Sequence, residues 1–312
     1  MKLKKILLIG GSGFVGTVIA NRLSELGIDV TVPTRRSERG KGVLLLPNVR
    51  LVQADVHDPE ILAGLMRGHD AIINLVGILH GGDFNKVHAA LPKKIIAACE
   101  ATGVRRLLHM SALKAATDAP SRYLATKGEG ERAVLAAQGA LDVTVFRPSV
   151  IFGAGDSFLC TFARLLKYLP LFPLGHGRAR FQPVWVGDVA EAFIAAIANP
   201  ATFGQAYDLC GPKVYTLREL VEYTAALSGH RTRILPLPDG LASLQATFMG
   251  LAPKPLLSPD NLRSLRVDSV CDATCKVFPG WQPRALEAVA PSYIADHAPR
   301  RRLDDYRLRA GR

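Results

Sequence analysis

The sequence predicts an α/β fold in which a doubly wound parallel sheet is followed by a smaller, irregular C-terminal lobe. Short apolar segments alternate with helical apolar patterns over residues 1–147, which is typical of parallel strands connected by helices. A glycine-rich turn follows the first apolar segment. Beyond residue 147 the alternation weakens, and prolines and glycines become frequent. These three observations together favour one large sheet domain with a second, less regular one.

The expected sheet begins with a strand within residues 4–10 and a helix over 13–27, which Gly27 ends. Strand and helix then alternate, and such units cross over right-handedly, so we expect helices on both faces of the sheet. The remaining predicted strands lie at 29–34, 49–54, 70–76, 106–110 and 142–146, and the helices at 59–68, 86–103 and 121–138.

The second half of the chain is less regular. We expect a helix at 157–169, a proline- and glycine-rich segment at 169–183, a helix at 189–198, a strand at 207–209 and a helix at 216–228. Prolines then crowd residues 229–259. The predicted domains are therefore a sheet domain of residues 1–147 and 183–212, a small substrate or partner lobe of 148–182 and 213–298, and a disordered basic tail of 299–312.

Composition excludes several classes of protein. No run reaches the about 18 uninterrupted apolar residues of a membrane-spanning helix, so we do not expect an integral membrane protein. The apolar part of the N-terminus is shorter than that of a secretory signal and runs into the glycine turn. We therefore expect a cytoplasmic protein.

The five cysteines are odd in number and scattered, which predicts reduced thiols rather than a disulfide framework. Cys271 and Cys275 stand four apart, but no second pair of ligands accompanies them, so no metal site is expected.

The formal net charge is +12, and several arginines lie between 300 and 312. A basic arm of this kind binds nucleic acid, anionic lipid or an acidic partner, or it is simply a solvated end. No nucleic-acid-binding motif accompanies the charge, so a nucleic-acid partner is not expected.

The glycine turn carries the first functional prediction. Gly10, Gly13 and Gly16 fit the spacing G-x-x-G-x-x-G, and with Gly11 in place of Gly10 they also fit G-x-G-x-x-G. Either spacing, between a strand and a helix, brings backbone N–H groups close to a pyrophosphate. We therefore expect a nucleotide here.

Arg35 and Arg36 stand at the end of the second predicted strand, 19 residues after Gly16. An acidic side chain at this place would hold the ribose 2′-OH of NAD, whereas a guanidinium pairs with a 2′-phosphate. NADP(H) is therefore the favoured cofactor and NAD(H) the alternative. A solvated basic loop that includes Arg39 and Lys41 would explain the same residues without a ligand.

Ser111, Tyr123 and Lys127 form the second functional pattern. The spacing of four places Tyr123 and Lys127 on one face of the predicted helix after the fifth strand. A nearby ammonium lowers the pKa of a phenol, which then exchanges a proton with a carbonyl or alcohol while hydride moves at nicotinamide. Ser111 would hydrogen-bond the reacting oxygen.

With these motifs the sequence resembles the extended short-chain dehydrogenase/reductase superfamily, whose Rossmann-type sheet is the fold expected above. Within it, the chain is most similar to the atypical subgroup of the NADPH-binding accessory subunit of respiratory complex I and its bacterial relatives. The residues that carry the resemblance, beyond those above, are Asp55-Val56, Leu75-Val76-Gly77, Leu91-Pro92, His109-Met110-Ser111, Ser121-Arg122-Tyr123-Leu124, Arg147-Pro148, Ser149 to Gly153, Asp156, Phe158-Leu159 and Val186 to Ala190.

The resemblance implies a role for each matching position. The implied cofactor contacts are Gly10, Ser12, Gly13, Phe14, Val15 and Gly16 to the pyrophosphate, Arg35 with Arg36 to the 2′-phosphate, Asp55 and Val56 to adenine, Leu75, Val76 and Gly77 to the adenosine ribose region, Tyr123 and Lys127 to the nicotinamide ribose, and Pro148. Ser111, Tyr123 and Lys127 are the implied catalytic residues.

One position departs from the family. Where many members carry an asparagine that supports a proton-relay water, this chain has His88. His88 either replaces that asparagine in the relay or packs the helix, and the sequence leaves both readings open.

Three functions remain at this point. The first is an NADP(H)-dependent oxidoreductase acting on a carbonyl, an alcohol or a quinone-related compound, and the sequence does not name its substrate. The second is an accessory protein that holds NADPH without turnover and has a respiratory or quinone-related protein partner, placing the chain peripherally at the inner membrane. The third is a nucleotide-sugar epimerase or dehydratase, which would retain NAD and is disfavoured by Arg35.

One further segment bears on a membrane or protein partner. Residues 239–252 place Leu241, Leu244, Phe248 and Leu251 on one helical face, which would contact a membrane, a partner or the second lobe.

Overall fold

A computed structural model describes residues 3–79, 81–230, 232–238, 240 and 259–295. The predicted helix of 239–252, apart from Gly240, and the predicted basic tail of 299–312 lie outside the described residues. Within the described part, no helix combines the length and the apolar character needed to cross a membrane.

The strands, in chain order, are β1 (Lys5–Ile9), β2 (Asp29–Thr34), β3 (Val49–Gln53), β4 (Ala71–Asn74), β5 (Arg106–Met110), β6 (Asp142–Pro148), β7 (Ile151–Phe152), β8 (Leu171–Gly175), β9 (Arg180–Phe181), β10 (Val184–Trp185), β11 (Gln205–Leu209), β12 (Tyr215–Thr216) and β13 (Arg233–Leu237). The main helices are α1 (Phe14–Glu25), α2 (Pro59–Met66), α3 (Leu91–Thr102), α4 (Arg122–Ala136), α5 (Leu159–Leu166), α6 (Val186–Ile197) and α7 (Leu217–Leu227). Short helices are Pro259–Ser264, Leu286–Val289 and Pro291–Ile294, a π-helical turn is Asn85–Ala90, and 3-10 turns are Ser37–Gly40 and Pro200–Thr202.

The chain divides into two compact units. The first contains the described residues up to Pro148 together with Val189–Leu209 and Thr274–Trp281, and the second contains the rest. The boundaries differ from the predicted ones, because Pro148 and Thr274–Trp281 lie in the first unit, and residues 183–188 and 210–212 lie in the second. Thr274–Trp281 lies in the first unit because Lys276 pairs with Asp208 of β11 through N–H bonds of 2.8 and 2.9 Å. Residues 183–188 lie in the second unit, where β10 pairs with β7.

A seven-stranded, wholly parallel sheet forms the centre of the first unit. Its strand order is β11-β6-β5-β4-β1-β2-β3. The predicted doubly wound α/β fold is confirmed, and the strands at 29–34 and 106–110 have the predicted bounds. The chain moves outward from β1 to β2 and β3 on one side, then returns to β4 on the other side of β1. A crevice therefore opens between β1 and β4 at the carboxyl ends of the strands, which is where ligands of such sheets bind.

The central strands are largely apolar because helices cover the sheet, so side chains of both faces are buried. Ile6, Leu7, Leu8 and Ile9 of β1 are at most 1% exposed. Roughly 1.5–3 kcal/mol of stability comes from burying each such side chain. On one face the strands pack against α2 and α3, through Leu7, Ile9, Ile72, Leu107, Val143 and Val145 against Leu62, Met66, Leu91 and Ile95.

Arg106 is a buried cation at the start of β5, with 4% exposure. Its guanidinium donates to the backbone carbonyls of Ala196 (2.7 Å), Ile197 (2.9 Å) and Asp142 (2.6 Å), and lies 4.6 Å from the ring centre of Phe203. Burial lowers the pKa of Arg106 to about 10. The residue thus satisfies carbonyls at the C-terminal end of α6, where a positive charge is favourable.

The second unit has its own core of aromatic and aliphatic side chains, including Phe152, Phe172 and Tyr215. Its strands form two-stranded sheets, which pair β7 with β10, β9 with β12, and β8 with β13. The sequence predicts no strand at 171–175 or 233–237, because each carries a proline. Both form strands nevertheless, since each member of a two-stranded pair has an unpaired edge and a proline N atom there costs no ladder bond.

Cys210 and Cys271 form a disulfide between residues 61 apart in sequence, with their Cα atoms 6.3 Å apart. The expectation of five reduced thiols is therefore wrong for these two. Gln182 brings the two segments together, because its side chain donates to the carbonyl of Gly211 (2.7 Å) and accepts the N–H of Cys271 (2.9 Å). Spacing along the chain carries no sign of this contact.

Candidate functional site

The glycine turn joins β1 directly to α1. Gly10 has φ of 86°, a conformation that favours glycine, and its carbonyl accepts the N–H of Gly13 (3.0 Å). A Cβ on Gly16 would lie 2.5 Å from the Cα of Gly11 and would overlap the Gly10 carbonyl oxygen. The first turn of α1 therefore packs on the backbone of the glycine turn.

The N-terminus of α1 is suited to an anion. Gly13 is the N-cap, and no side chain caps the helix. Phe14 and Val15, the first two helical residues, therefore have backbone N–H groups without a helical acceptor. The predicted pyrophosphate contacts Ser12, Phe14 and Val15 all lie in this short span. Uncapped N–H groups at a helix start attract a phosphate through hydrogen bonds and the helix dipole.

The loop after β4 lies against this turn. A Cβ on Gly10 would be 3.1 Å from both the carbonyl carbon of Leu75 and the nitrogen of Val76. The N–H of Leu75 donates to the carbonyl of Ile9 (2.9 Å). The predicted contacts Leu75, Val76 and Gly77 thus border the crevice between β1 and β4.

Arg35 and Arg36 follow β2 and are exposed. The hydroxyl of Thr34 donates to the carbonyl of Arg36 (3.0 Å), which fixes the chain direction as the strand ends. The residues on either side of the arginine pair, Thr34 and Ser37, are not acidic.

The segment after β3 lies close enough to Arg35 for its positive charge to act on His57. Asp55 accepts the N–H of His57 (3.0 Å), and Lys94 of α3 donates to the His57 carbonyl (2.6 Å). The pKa of His57 is lowered, first by burial and then by the cations Lys86, Lys94 and Arg35, against the opposing effect of Asp55. Asp55 and the adjacent Val56 therefore lie in a basic neighbourhood that includes Arg35.

Lys127 of α4 reaches the ends of two strands. Its Nζ donates to the carbonyl of Met110 (2.9 Å) and, more weakly, to that of Val76 (3.4 Å). A Cβ on Gly77 would lie 3.3 Å from Nζ, so glycine makes room for the ammonium. Burial lowers the pKa of Lys127 to about 8, although Glu131 opposes the shift. The lysine is thus held at the crevice and keeps most of its charge at pH 7.

Tyr123 lies one turn before Lys127, near the start of α4, and is half-buried. Its ring makes edge-to-face contacts with His88 (5.5 Å between centres) and Phe84 (6.5 Å). Burial raises the pKa of Tyr123 to about 12. The expectation that Lys127 lowers this pKa is therefore not met in this structure, because loss of hydration sets the direction of the shift.

Ser111 follows β5 directly and comes after Met110, whose carbonyl Lys127 binds. Its N–H donates to the carbonyl of Phe146 (2.7 Å). Its hydroxyl is buried and has no hydrogen-bond partner among the described residues. A buried hydroxyl without a protein partner is uncommon, and it leaves a donor and an acceptor available to a water or a ligand. Pro148 lies at the end of the neighbouring β6, and its carbonyl accepts the N–H of Leu113 (2.9 Å).

Helix α4 is fixed to the sheet by a charged network. Arg147 of β6 donates to Glu131 of α4 (2.7 Å) and lies 3.7 Å from Asp208 of β11. A Cβ on Gly128 would lie 2.5 Å from the carbonyl carbon of Ala116, so the helix packs on this segment without a side chain between. The network holds the helix that carries Tyr123 and Lys127.

The structure also shows polar residues behind the site to which the sequence gave no role. Asn74 of β4 donates to Nδ1 of His109 (3.1 Å) and accepts the N–H of Val76 (3.2 Å). His109 is buried, and burial followed by the charge of Lys127 lowers its pKa to about 3. Alternation along β5 puts His109 and Ser111 on the same face. The sequence signal that could have revealed these two residues is the presence of a polar residue among the apolar residues of each strand.

The residues of this crevice fit a dinucleotide. Three of the four residues of the turn are glycines, an uncapped helix start follows it, and a buried hydroxyl and an ammonium lie at the neighbouring strand ends.

Comparison with known proteins identifies relatives over most of the chain. The profile of the NAD dependent epimerase/dehydratase family matches residues 6–210. The chain is 31% identical over 280 residues to NADH dehydrogenase (ubiquinone) 1 alpha subcomplex subunit 9, mitochondrial, of Arabidopsis thaliana, covering 84% of this chain and 69% of the relative. It is 27% identical to a ceramide reductase of Caulobacter vibrioides, covering 75% of this chain and 74% of the relative.

Among solved structures, the chain resembles the epimerase Mth375 of Methanothermobacter thermautotrophicus, with a TM-score of 0.71. The two are 17% identical, and the match covers 94% of this chain and 91% of that one. At this identity the likeness concerns the fold alone. The profile match spans most of the sheet unit, including the glycine turn and the strand ends described above, and this chain belongs to the NAD dependent epimerase/dehydratase family of extended short-chain dehydrogenases/reductases.

Proposed function

We propose that this chain binds NADP(H) in the crevice between β1 and β4 and reduces a carbonyl compound with it. The observation that carries the proposal is the position of Lys127. Its ammonium is buried between the carbonyls of Val76 and Met110, one helical turn from Tyr123 and beside the end of β5, which Ser111 follows. The phenol of Tyr123 and the ammonium of Lys127 are thus carried by α4, and the hydroxyl of Ser111 follows the neighbouring end of β5.

The proposed cofactor contacts follow the crevice outward from the glycine turn. The pyrophosphate lies on the N-terminus of α1, and the nicotinamide ribose lies by Lys127 and Tyr123. The full proposed set is Gly10, Ser12, Gly13, Phe14, Val15 and Gly16 for the pyrophosphate, Leu75, Val76 and Gly77 for the adenosine ribose region, Asp55 and Val56 for adenine, Arg35 and Arg36 for the 2′-phosphate, and Pro148 near the nicotinamide end.

When bound, the nicotinamide supplies a hydride to the carbonyl carbon. The hydroxyl of Ser111 donates a hydrogen bond to the carbonyl oxygen and orients it. Tyr123 gives its phenolic proton to that oxygen as negative charge develops, and the nearby ammonium of Lys127 stabilises the phenolate until solvent restores the proton. A phenol with a pKa of about 12 is protonated at neutral pH, which supports the direction of reduction.

Arg35 supports the choice of NADP(H) over NAD(H). It follows β2 where the adenosine ribose of a dinucleotide lies in such sheets, and its charge acts on the His57 segment together with those of Lys86 and Lys94. A 2′-phosphate would gain charge-assisted hydrogen bonds there, each worth about 1.5–3 kcal/mol.

The acid–base assignment is tested with Tyr123→Phe. We expect turnover of NADPH with carbonyl or quinone compounds to disappear while NADPH binding, measured by fluorescence titration, is kept. Unchanged turnover would remove Tyr123 from the reaction.

The cofactor choice is tested with Arg35→Ala. We expect NADPH to bind about 10- to 100-fold more weakly and NADH to bind unchanged, from the loss of one charge-assisted pair. Arg50→Ala is the matched control, because this substitution removes the same charge at the start of β3, away from the end of β2 that Arg35 follows. Equal losses in both variants would mean that only net charge matters.

A second function, an accessory protein that holds NADPH without turnover, is supported by the relative from Arabidopsis, which is named as a subunit of a ubiquinone-dependent NADH dehydrogenase. In this case the chain would have a respiratory or quinone-related protein partner and would lie peripherally at the inner membrane. NADPH that copurifies and is not oxidised by any carbonyl or quinone compound would favour it. The ceramide reductase relative supports the catalytic alternative.

A further inference from the structure

His88 lies on the π-helical turn Asn85–Ala90 and is 1% exposed. Both nitrogens of its ring make hydrogen bonds. Nε2 accepts the backbone N–H of Ile78 (3.0 Å), and Nδ1 lies 3.0 Å from the hydroxyl of Thr126 on α4. The ring therefore spans from the loop after β4 to the helix that carries Tyr123 and Lys127.

These partners define the protonation state of the ring. A backbone N–H only donates, so Nε2 must present a lone pair to Ile78. The hydroxyl of Thr126 donates to the carbonyl of Arg122 (2.7 Å), so it has an oxygen lone pair left for His88. Nδ1 therefore carries the proton and donates to Thr126. The ring is the neutral Nδ1–H tautomer with both nitrogens engaged.

The surroundings of the ring keep it neutral and in place. The ring of Phe84 stacks on it at 5.5 Å, and that of Tyr123 meets it edge-on. A Cβ on Gly130 would overlap the carbonyl oxygen of His88, so α4 packs directly on the π-helical turn. The ionisable groups that face the ring are Lys127 and Tyr123 of α4 and His109 of β5. Burial, followed by the charge of Lys127, lowers the pKa of His88 to about 3.

We propose that His88 is a positioning residue that clamps the loop after β4 to helix α4, and that it is not a proton relay. Its two partners stand next to the residues of the site, because Ile78 follows Gly77 and Thr126 precedes Lys127. The proposal rests on the proposed function in one respect, namely that Gly77 and Lys127 hold the nucleotide. The clamp acts together with the hydrogen bond from Lys127 to the carbonyl of Val76. It holds Gly77 at the distance from α4 at which the Lys127 ammonium fits beside a residue without a Cβ.

Two variants break the clamp at different ends. His88→Phe keeps a ring between Phe84 and Tyr123 but loses both hydrogen bonds, and Thr126→Val keeps the size of its side chain but loses the bond to His88. Because the two links act in series, we expect each variant to weaken NADPH binding about tenfold and the double variant to be no weaker than either one. His69→Phe is the control, since His69 precedes β4 and bonds Thr31 of β2 (2.9 Å), at the other end of the sheet.

Nuclear magnetic resonance of ¹⁵N-histidine-labelled protein tests the hydrogen bonds of His88 in the absence of a nucleotide. We expect the Nδ1–H tautomer of His88 to persist from pH 5 to pH 8, and the Ile78 amide to be protected from hydrogen exchange in the wild type but not in His88→Phe. If NADPH does not bind to the wild type, the proposed function fails, and this measurement still decides the clamp.

Three results would overturn the inference. A ring that titrates between pH 5 and pH 8, or that carries its proton on Nε2, would contradict the assigned tautomer. A His88→Phe variant with wild-type NADPH affinity and a reduced kcat would make His88 a relay. Wild-type affinity and kcat in both variants would reduce it to a packing residue.

Discussion

Substitution of Gly16 by alanine tests whether the contact between α1 and the glycine turn creates the nucleotide site. The added Cβ would lie 2.5 Å from the Cα of Gly11, whereas carbon atoms in contact are about 3.5–4.0 Å apart. The start of α1 must therefore move away from the turn by about 1 Å. Overpacking of this kind costs about 1–3 kcal/mol, and the helix gains back about 1 kcal/mol because alanine replaces glycine.

The same displacement is much more harmful to binding. A hydrogen bond of about 2.9 Å that lengthens by 1 Å is no longer a hydrogen bond. Loss of one or two bonds from the N–H groups of Phe14 and Val15 to a charged phosphate costs about 3 kcal/mol or more. We therefore expect Gly16→Ala to bind NADPH at least about a hundredfold more weakly, with a change in the free energy of unfolding of about 2 kcal/mol or less.

Isothermal titration with NADPH and urea unfolding of the same preparations measure the two quantities. Gly64→Ala is the matched control, because Gly64 lies inside α2 and an added Cβ there meets nothing within 4 Å. It should be stabilised by up to about 1 kcal/mol and bind normally. If Gly16→Ala bound NADPH within threefold of the wild type, the pyrophosphate would not lie on the start of α1.

Three further predictions concern charge, burial and the disulfide. Because the pKa of Lys127 is lowered to about 8, NADPH affinity should fall as pH rises from 7 to 9 and the ammonium loses its proton, and Lys127→Met should abolish this dependence in titrations across that range. Arg106→Met should lower the free energy of unfolding in urea by about 3 kcal/mol or more, since three backbone carbonyls, two of them in buried bonds, lose their donor. Arg105→Met, at the exposed neighbouring position, should lower it by less than about 0.5 kcal/mol. Replacing Cys210 and Cys271 together by serine should cost up to about 4 kcal/mol by loop closure, and a reductant should lower the urea midpoint of the wild type but leave that of the double variant unchanged.

The sequence by itself determined the fold class and pointed to the proposed site. Apolar periodicity is a local signal, and it sufficed for the strands of the first unit, because side chains buried on both faces of a parallel sheet form continuous apolar runs. The glycine spacing was equally local, since a strand, a tight turn and a helix start are consecutive in the chain. The spacing between Tyr123 and Lys127 reflects one turn of one helix, so it too was readable without the tertiary structure.

Only the tertiary structure decided what depends on residues far apart in sequence. The tautomer of His88 follows from Ile78, 10 residues away, and Thr126, 38 residues away, so the choice between relay and packing had no sequence signal. The pKa of Tyr123 is raised because the folded chain excludes solvent from its ring, and the spacing between Tyr123 and Lys127 carried no sign of that burial. The pairing of Cys210 with Cys271 required Gln182 to bring two distant segments together. Periodicity records which face of an element is buried, whereas partners across the fold are set by packing. Packing therefore decides the protonation states on which the proposed chemistry of this crevice depends.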